Sequence, residues 1–273
     1  RGAKPMIHEL SAVTGYGIAE YSLKKIFQTI PSPEINHNTS TVEGMADLTI
    51  SSQLNSRVIS VEFLYQTKDI YDYYLLRDQI NALFTREEAY YLIFKREPYK
   101  RYKVKLASAY ELPPHPHMAS FTVEFIMQGK YAESVAMTGD LKEWDVDKWG
   151  WNDTIEWDDS LQYLFRGTNS FAVHNRGTAP VDPRESYLQI VIGATASSLR
   201  IRNTTTGDVY EYNAPLTSSD ILIVEGVRTL KNGVSAFKDT NKKLITLATG
   251  INNFVIEGGT VHSIAFNFRF LFK

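Results

Sequence analysis

Residues 58–84 read VISVEFLYQTKDIYDYYLLRDQINALF and contain the strand and the helix that define the first half of the chain. Residues 58–66 are mostly apolar, aromatic or β-branched, which is typical of a largely buried strand. After Asp69, which is predicted to be an N-cap, apolar residues recur at three- and four-residue spacing. These residues are Ile70, Tyr73, Leu76, Ile80, Leu83 and Phe84. The spacing predicts an amphipathic helix over residues 69–84, about 24 Å long, which is enough to cover one sheet or close one barrel mouth.

Three further strands are predicted in the first half. Residues 90–94 read YYLIF and are apolar throughout. In residues 101–110 three apolar side chains alternate with three basic ones, Tyr102, Val104 and Leu106 with Arg101, Lys103 and Lys105. In residues 120–128 one face carries Phe121, Val123, Phe125 and Met127. Alternation of this kind requires one face on a core and the other towards water or a partner, so the first domain is predicted to be β-rich with one principal helix.

The second half of the chain is predicted to be all β. Short apolar and aromatic runs follow one another closely, separated by turns such as Asn232-Gly233. The runs are SFAVHN (170–175), YLQIVIG (187–193), SLRIRN (198–203), DVYEYN (208–213), DILIVEG (220–226), TLKNGVSA (229–236), KLITLATG (243–250), NNFVIEGG (252–259) and VHSIAFNFRFLFK (261–273). Many short strands with no helical pattern are typical of a β-sandwich or jelly roll.

The strand pattern stops in the middle of the chain, where an acidic stretch at residues 144–159 contains all four tryptophans. The interruption predicts two domains, at residues 1–135 and 161–273, joined by a tryptophan-rich connector at 136–160. We expect the indole rings to pin this polar connector onto its neighbours, because a tryptophan buries a large apolar area while its N–H needs only one partner.

The overall composition excludes several classes of protein. The 273 residues carry a net charge of −2, so the basic excess that dominates nucleic-acid affinity is missing. There is no cysteine, which rules out disulfides and thiolate metal sites. No apolar stretch reaches the roughly 20 residues that a membrane span needs, so membrane insertion is not expected.

Two ligand sites are alternatives to the structural interpretation of the tryptophan-rich connector. Its carboxylates follow the spacing of a calcium-binding loop, although Trp149 occupies a ligand position and neither flank has a helical pattern. The carboxylates concerned are Asp145, Asp147, Asp153 and Glu156. The second alternative is a sugar-stacking platform, for which the candidate rings are Trp149, Trp151 and Trp157.

No catalytic motif is present in the sequence. GYGIAE at residues 15–20 lacks the third glycine of a dinucleotide site, and there is no P-loop, G-x-S-x-G or H-E-x-x-H pattern. His115 and His117 lie two residues apart in a proline-rich loop, but the sequence offers no third metal ligand for them. We therefore predict no enzymatic activity and no cofactor; a glycoside hydrolase would require two acids facing each other across a groove.

Several fragments, taken in order, resemble the distal tail protein family of long-tailed phages. In the first domain they are TVEGMADLTISSQLNSRVISVEF, DIYDYYLLRDQINALF, YYLIFKREPYKRYKVKLAS and FTVEFIMQGKYAES. In the second domain they are SSDILIVEGVRTLKNG, LITLATGINNFVIEGG and the final aromatic strand. The resemblance covers most of the chain.

The resemblance implies a specific architecture and role. The first domain is expected to be a small β-barrel with a helix and an extended hairpin, and the second a galectin-like β-sandwich, with residues 260–273 returning to the first domain. The protein is expected to form a homohexameric ring at the virion tail tip, assembled in the host bacterial cytoplasm. This ring would join the tail tube protein to a tail-tip or tail-associated protein, dock a receptor-binding or baseplate protein, and let DNA pass in transit.

A cyclic ring needs two different surfaces that meet between neighbours. We predict that Arg101, Lys103 and Lys105 form one of them and contact an acidic surface of the next protomer or of the neighbouring tail ring. The alternation places these charges on the solvent side of a strand, which favours this interpretation over phosphate or nucleic-acid binding. The alternative function is a carbohydrate-binding module that contacts host cell-wall glycans directly.

Overall fold

The computed structural model describes residues 57–94, 97–115, 117–140 and 162–273, together with Ser32 and the backbone of five earlier strands. The chain divides into two compact units: unit 1 comprises residues 1–132 with Lys273, and unit 2 comprises residues 133–272. The predicted mainly β fold is confirmed. Over the described ranges, no helix is long and apolar enough to span a bilayer.

Unit 1 consists of strands and one described α-helix. Their bounds are β1 (Ala12–Thr14), β2 (Gly17–Ala19), β3 (Lys24–Thr29), β4 (Ile35–Ser40), β5 (Leu48–Leu54), β6 (Val58–Gln66), α1 (Ile70–Phe84), β7 (Tyr90–Phe94), β8 (Glu97–Leu106) and β9 (Met118–Met127). An antiparallel sheet runs in the order β2-β1-β7-β8-β9-β6-β3, and β4 pairs with β5 as a separate hairpin. Strand β8 begins earlier than the alternation predicted and ends at Leu106, four residues before the predicted end.

The predicted helix is confirmed, including Asp69 as its N-cap. The Oδ1 atom of Asp69 accepts hydrogen bonds from the backbone N–H groups of Tyr71 and Asp72, both at 2.9 Å. This side chain satisfies two of the donors that a helix start leaves without an intrahelical partner. One face of α1 is buried and carries Tyr73, Ile80, Leu83 and Phe84.

An aromatic cluster joins α1 to the sheet of unit 1. The ring of Phe84 lies 5.4 Å from Phe63 on β6 and 5.5 Å from Phe125 on β9. Strands β6 and β9 pair along their whole length, from Val58↔Ile126 to Gln66↔Met118, so their inward side chains form a continuous apolar surface under the helix. Aromatic packing of this kind supplies most of the apolar burial that holds a helix on a sheet.

Unit 2 is also built from strands. Their bounds are β10 (Ala132–Ser134, which starts at the division between the units), β11 (Leu164–Arg166), β12 (Ser170–Asn175), β13 (Leu188–Asn203), β14 (Val209–Tyr212), β15 (Leu222–Glu225), β16 (Arg228–Lys231), β17 (Val234–Ser235), β18 (Gly250–Phe268) and β19 (Leu271–Phe272). The main sheet runs β11-β18-β13-β15-β16-β17, with β12 also paired to β18 and β14 to β13. The predicted turn at Asn232-Gly233 is confirmed, and both residues have positive φ.

Two long strands replace four of the predicted short ones. Strand β13 spans both YLQIVIG and SLRIRN, and β18 spans NNFVIEGG and most of the final run. The prediction of a break at Gly258 and Gly259 was wrong, because the pairing of β13 with β18 shifts register there instead of ending. The extra residues, 197–199 of β13, form a bulge opposite Gly258, whose φ is positive.

The prediction of a strand at residues 243–250 was also wrong. Side chains from other segments satisfy the backbone of this stretch: Asp208 accepts from the N–H of Thr246 at 2.9 Å, and Asn252 accepts from the N–H of Ala248 at 2.8 Å. The amide of Asn203 donates to the Thr246 carbonyl at 2.9 Å. Backbone groups that are paired by side chains have no need of a neighbouring strand.

The beginning and the end of unit 2 lie against each other. The backbone N–H of Ser134 donates to the Phe270 carbonyl at 2.8 Å, and the hydroxyl of Thr138 donates to the Phe266 carbonyl at 2.8 Å. Residues 141–160 of the predicted connector lie outside the described residues, so the connector stays a prediction. The barrel and galectin-like details, and the return of residues 260–273 to the first domain, also stay predictions.

Candidate assembly surfaces

The three basic residues predicted to make inter-subunit contacts lie on one face of β8, here called the basic strand face. Lys103 is exposed, and Arg101 and Lys105 are half-exposed, whereas Tyr102 and Val104 between them are buried. Neighbouring residues of a strand point to opposite sides of a sheet, so the basic side chains share one side and the buried ones the other. Lys95 and Arg96, which extend this basic run in the sequence, lie outside the described residues.

Neighbouring side chains order the basic strand face. The guanidinium carbon of Arg101 lies 4.1 Å from the centre of the Tyr91 ring on β7, a cation–π arrangement that fixes the direction of the charge. At the start of the strand, the Nζ atom of Lys100 is 3.0 Å from a carboxylate oxygen of Glu97. Burial and, to a smaller extent, the carboxylate of Glu97 raise the pKa of Tyr102 to about 12, so this phenol stays neutral beneath the basic residues.

A second surface lies on the side of α1 that faces away from the sheet. Tyr71, Tyr74 and Leu75 occupy positions i, i+3 and i+4, and their residues are 78%, 47% and 66% exposed. We call these three residues the helix outer face. The apolar spacing in the sequence predicted only the buried stripe of the helix. The number of apolar residues in the helix exceeds what one stripe needs, and this excess was the available signal for a second surface.

The proline-rich loop after β8 is held against unit 1 by two buried phenols. The hydroxyl of Tyr73 donates to the Leu112 carbonyl at 2.9 Å, and that of Tyr65 donates to the Pro113 carbonyl. In the loop, Nδ1 of His115 accepts from the backbone N–H groups of His117 and Met118 at 3.4 and 3.3 Å. His115 is therefore engaged in shaping the turn.

Unit 2 carries a solvent-open groove of about 460 Å³. Its lining includes the acidic residues Glu133, Glu185 and Glu225 and the basic residues Arg184 and Arg228. The Arg184 guanidinium is 2.5 Å from the carboxylate of Asp182. The groove therefore mixes charges of both signs.

The other predicted sites lie outside the described residues. They are the calcium-loop carboxylates Asp145, Asp147, Asp153 and Glu156 and the glycan-stacking rings Trp149, Trp151 and Trp157. Both sites therefore stay predictions. In the described part of the chain, no group of three or more histidine, aspartate or glutamate side chains is placed to hold a metal ion.

Residues 12–127 match the family model described as the phage tail protein RIFT-related domain. This region covers most of unit 1, including the basic strand face and the helix outer face. The match identifies this part of the chain as similar to a domain of phage tail proteins. No curated relative matches the sequence.

Solved structures extend the likeness to both units. The Dit protein of phage SPP1, described as a paradigm of hub adsorption apparatus in phages that infect Gram-positive bacteria, shares the fold with a TM-score of 0.65 and 14% identity, over 90% of this chain and 94% of that one. A chain of the phage p2 baseplate in its activated conformation with Sr matches with a TM-score of 0.45 and 9% identity, over 96% of this chain and 97% of that one. A chain of the same baseplate with Ca matches with a TM-score of 0.44 and 9% identity, over 93% of each chain. The predicted resemblance to the distal tail protein family is confirmed, by the family model over residues 12–127 and by the fold likeness over both units.

Proposed function

We propose that this protein forms a homohexameric ring that joins the tail tube to the tail tip or baseplate. The ring serves as a docking hub for receptor-binding or baseplate proteins, and DNA passes through its centre on ejection. Its partners are copies of itself, the tail tube protein and a tail-tip or tail-associated protein. It is assembled in the bacterial cytoplasm and remains at the tail tip.

The observation that carries this proposal is the extent of the fold likeness. The likeness to the SPP1 Dit protein spans 90% of the chain, and so includes both units, whereas the family model alone ends at residue 127. A shared tail-domain fold would be consistent with many positions along a tail. The combination of a tail domain with a second β unit in the same order favours the hub.

The basic strand face supports self-assembly. It lies in the region that matches the family model, and it concentrates three positive charges in a chain whose net charge is −2. Segregated charge of this kind steers association and fixes which surfaces meet.

The first test of the proposal is the native mass of the purified protein. Six copies of 31.0 kDa give about 186 kDa, which native mass spectrometry or light scattering separates clearly from a monomer or dimer. Negative-stain images of the same sample should show rings with a central hole. A monomer at every concentration up to the solubility limit would contradict the ring.

The second test isolates the basic strand face. Replacing Arg101, Lys103 and Lys105 by glutamate should weaken assembly, and the defect should change with ionic strength because exposed charges are screened within about 10 Å at 0.1 M salt. A variant with Lys238, Lys242 and Lys243 replaced by glutamate makes the same change in net charge in unit 2 and serves as the control. An unchanged oligomer in the first variant would reject this surface but leave the ring intact.

A further inference from the structure

The helix outer face lies on the side of α1 opposite the one that packs on the sheet of unit 1. Tyr73, Ile80, Leu83 and Phe84 already bury the opposite side of α1, so the helix is fixed to the sheet without Tyr71, Tyr74 or Leu75. A surface helix needs only one apolar stripe, and its other side is normally charged or polar. Two aromatic rings and a leucine grouped at helical spacing form an apolar patch of the kind that marks a protein contact.

The segment that contains the helix outer face is acidic overall, although the guanidinium of Arg77 lies 5.2 Å from the centre of the Tyr74 ring. Residues 69–88 contain five carboxylates and two guanidinium groups. One of the carboxylates, Asp78, lies one turn after Tyr74 and Leu75; its side chain is 66% exposed and pairs with Arg77 at 2.9 Å. Strand β8, Glu97–Leu106, has the opposite balance, with four basic residues and one carboxylate. The two surfaces are therefore complementary in charge.

The helix outer face and the basic strand face lie on opposite sides of one sheet. The side chain of Val104 points to the opposite side of the sheet from that of Lys103, and Val104 pairs with Met127 on β9. Met127 shares the inward face of β9 with Phe125, which contacts Phe84 of α1. The helix therefore covers the side of the sheet to which Val104 points, and Lys103 points to the other side.

Two complementary surfaces on opposite sides of one body cannot meet within a single chain. They can meet between copies, where the helix side of one copy faces the strand side of the next. Such a contact is heterologous, and repeating it produces a ring if the rotation closes.

We propose that the helix outer face is the acceptor for the basic strand face of a neighbouring copy. Tyr71, Tyr74 and Leu75 provide the apolar centre of the contact, and Asp78 provides a charge at its rim for Lys103 or Lys105. This inference rests on the proposed ring and identifies which two surfaces build it.

The absence of cysteine from the chain allows a direct test by cross-linking. A protein carrying both Leu75→Cys and Lys103→Cys is treated with a bis-maleimide and separated on a denaturing gel. Each contact joins residue 75 of one copy to residue 103 of the next, so a ladder of covalent species up to six copies is expected. Either substitution alone should leave the protein as a monomer band, because a heterologous contact never brings two copies of the same position together.

A matched control carries Leu75→Cys with Lys238→Cys, an exposed lysine of unit 2. It has the same number of thiols and should give no ladder. Ladders of equal strength in this control, or in the single variants, would overturn the proposed contact. Native mass of the untreated protein is measured in parallel. A hexamer that gives no ladder from the 75/103 pair overturns this inference and leaves the proposed function standing, whereas a monomer without a ladder overturns both.

A charge exchange tests the same contact without a linker. Lys103→Glu should raise the protein concentration needed for half-assembly by about tenfold at low salt, since it replaces an attraction across the rim by a repulsion. Adding Asp78→Lys to this variant should recover most of the loss, whereas Asp78→Lys alone should weaken assembly. If the double variant assembles no better than Lys103→Glu, the pairing of these two surfaces is wrong.

Discussion

Replacing Gly258 by alanine should destabilise unit 2 well beyond the ordinary cost of a glycine substitution. Gly258 lies in the bulge where β18 passes β13, and its φ is +84°. A Cβ atom added there lies 2.3 Å from the backbone carbonyl oxygen of Ser198. Contacts under 3.0 Å do not persist, and a backbone oxygen in a paired strand cannot swing away as a side chain can.

Gly250 provides a matched control in the same strand. Its φ is +82°, but a Cβ atom there has no neighbour within 4 Å. Gly250→Ala should therefore show the conformational cost alone, about 1 kcal/mol after the opposing effect of alanine on the unfolded chain is included. Gly258→Ala has this cost and an overpacking cost of about 1–3 kcal/mol in addition.

The expected difference between the two variants is thus about 1–3 kcal/mol in the free energy of unfolding, or a melting temperature roughly 3–10 °C lower for Gly258→Ala. Urea unfolding followed by circular dichroism measures the difference. Hydrogen exchange of peptides from β13 and β18 shows whether the loss is located in unit 2. Equal destabilisation by the two alanines would refute the close approach at the bulge and the register that produces it.

Three further predictions concern single side chains. Asp69→Ala should lower the free energy of unfolding by about 0.5–2 kcal/mol and speed amide exchange in the first turn of α1. Asp69→Asn should have a smaller effect. No change in either measurement would mean that the cap is dispensable. Arg57 is buried, and its Nη2 atom has no hydrogen-bond partner among the described residues. Arg57→Met should therefore raise the free energy of unfolding by about 1–3 kcal/mol. A decrease in this free energy would show that the guanidinium has a partner. Burial raises the pKa of Tyr210 to about 12, compared with about 10 in an unfolded chain. The stability that the neutral phenol contributes is therefore fully present below pH 10 and is lost as the pH rises from 10 to 12. Tyr210→Phe should reduce this loss of stability at alkaline pH. Because the substitution also removes the hydrogen bond to Thr229, it should lower the free energy of unfolding at neutral pH by about 1 kcal/mol. If urea unfolding shows the same alkaline loss in the variant, Tyr210 is not its cause.

The helix and the strands of unit 1 were predictable because their signals are local. The cap at Asp69 and the apolar spacing up to Phe84 depend only on nearby residues, and α1 begins and ends where they predict. The same holds for the alternation around Val104, which placed Arg101, Lys103 and Lys105 on one side of β8. The ends of β8 and β9 were misplaced, since strand ends depend on the length of the partner strand, and β1 to β5 were not predicted.

Unit 2 was predicted less well, because its errors depend on contacts between distant segments. Residues 243–250 have the composition of a strand, yet the side chains of Asp208 and Asn203, from distant positions in the chain, bond the backbone of Thr246. Gly258 and Gly259 have the composition of a turn, yet they allow β18 to continue through a bulge against Ser198. Neither outcome is encoded within the segment that it affects.

The sequence by itself determined the local periodicity, helix α1, the mainly β class and the resemblance to phage tail proteins, since each of these is a property of residue order. Tertiary structure alone decided which apolar residues stay exposed. Tyr71, Tyr74 and Leu75 look like core residues in the sequence, but a helix that rests on one sheet can bury only one side. That geometry also places the basic strand face on the far side of the same sheet, so the two surfaces of one chain cannot contact each other.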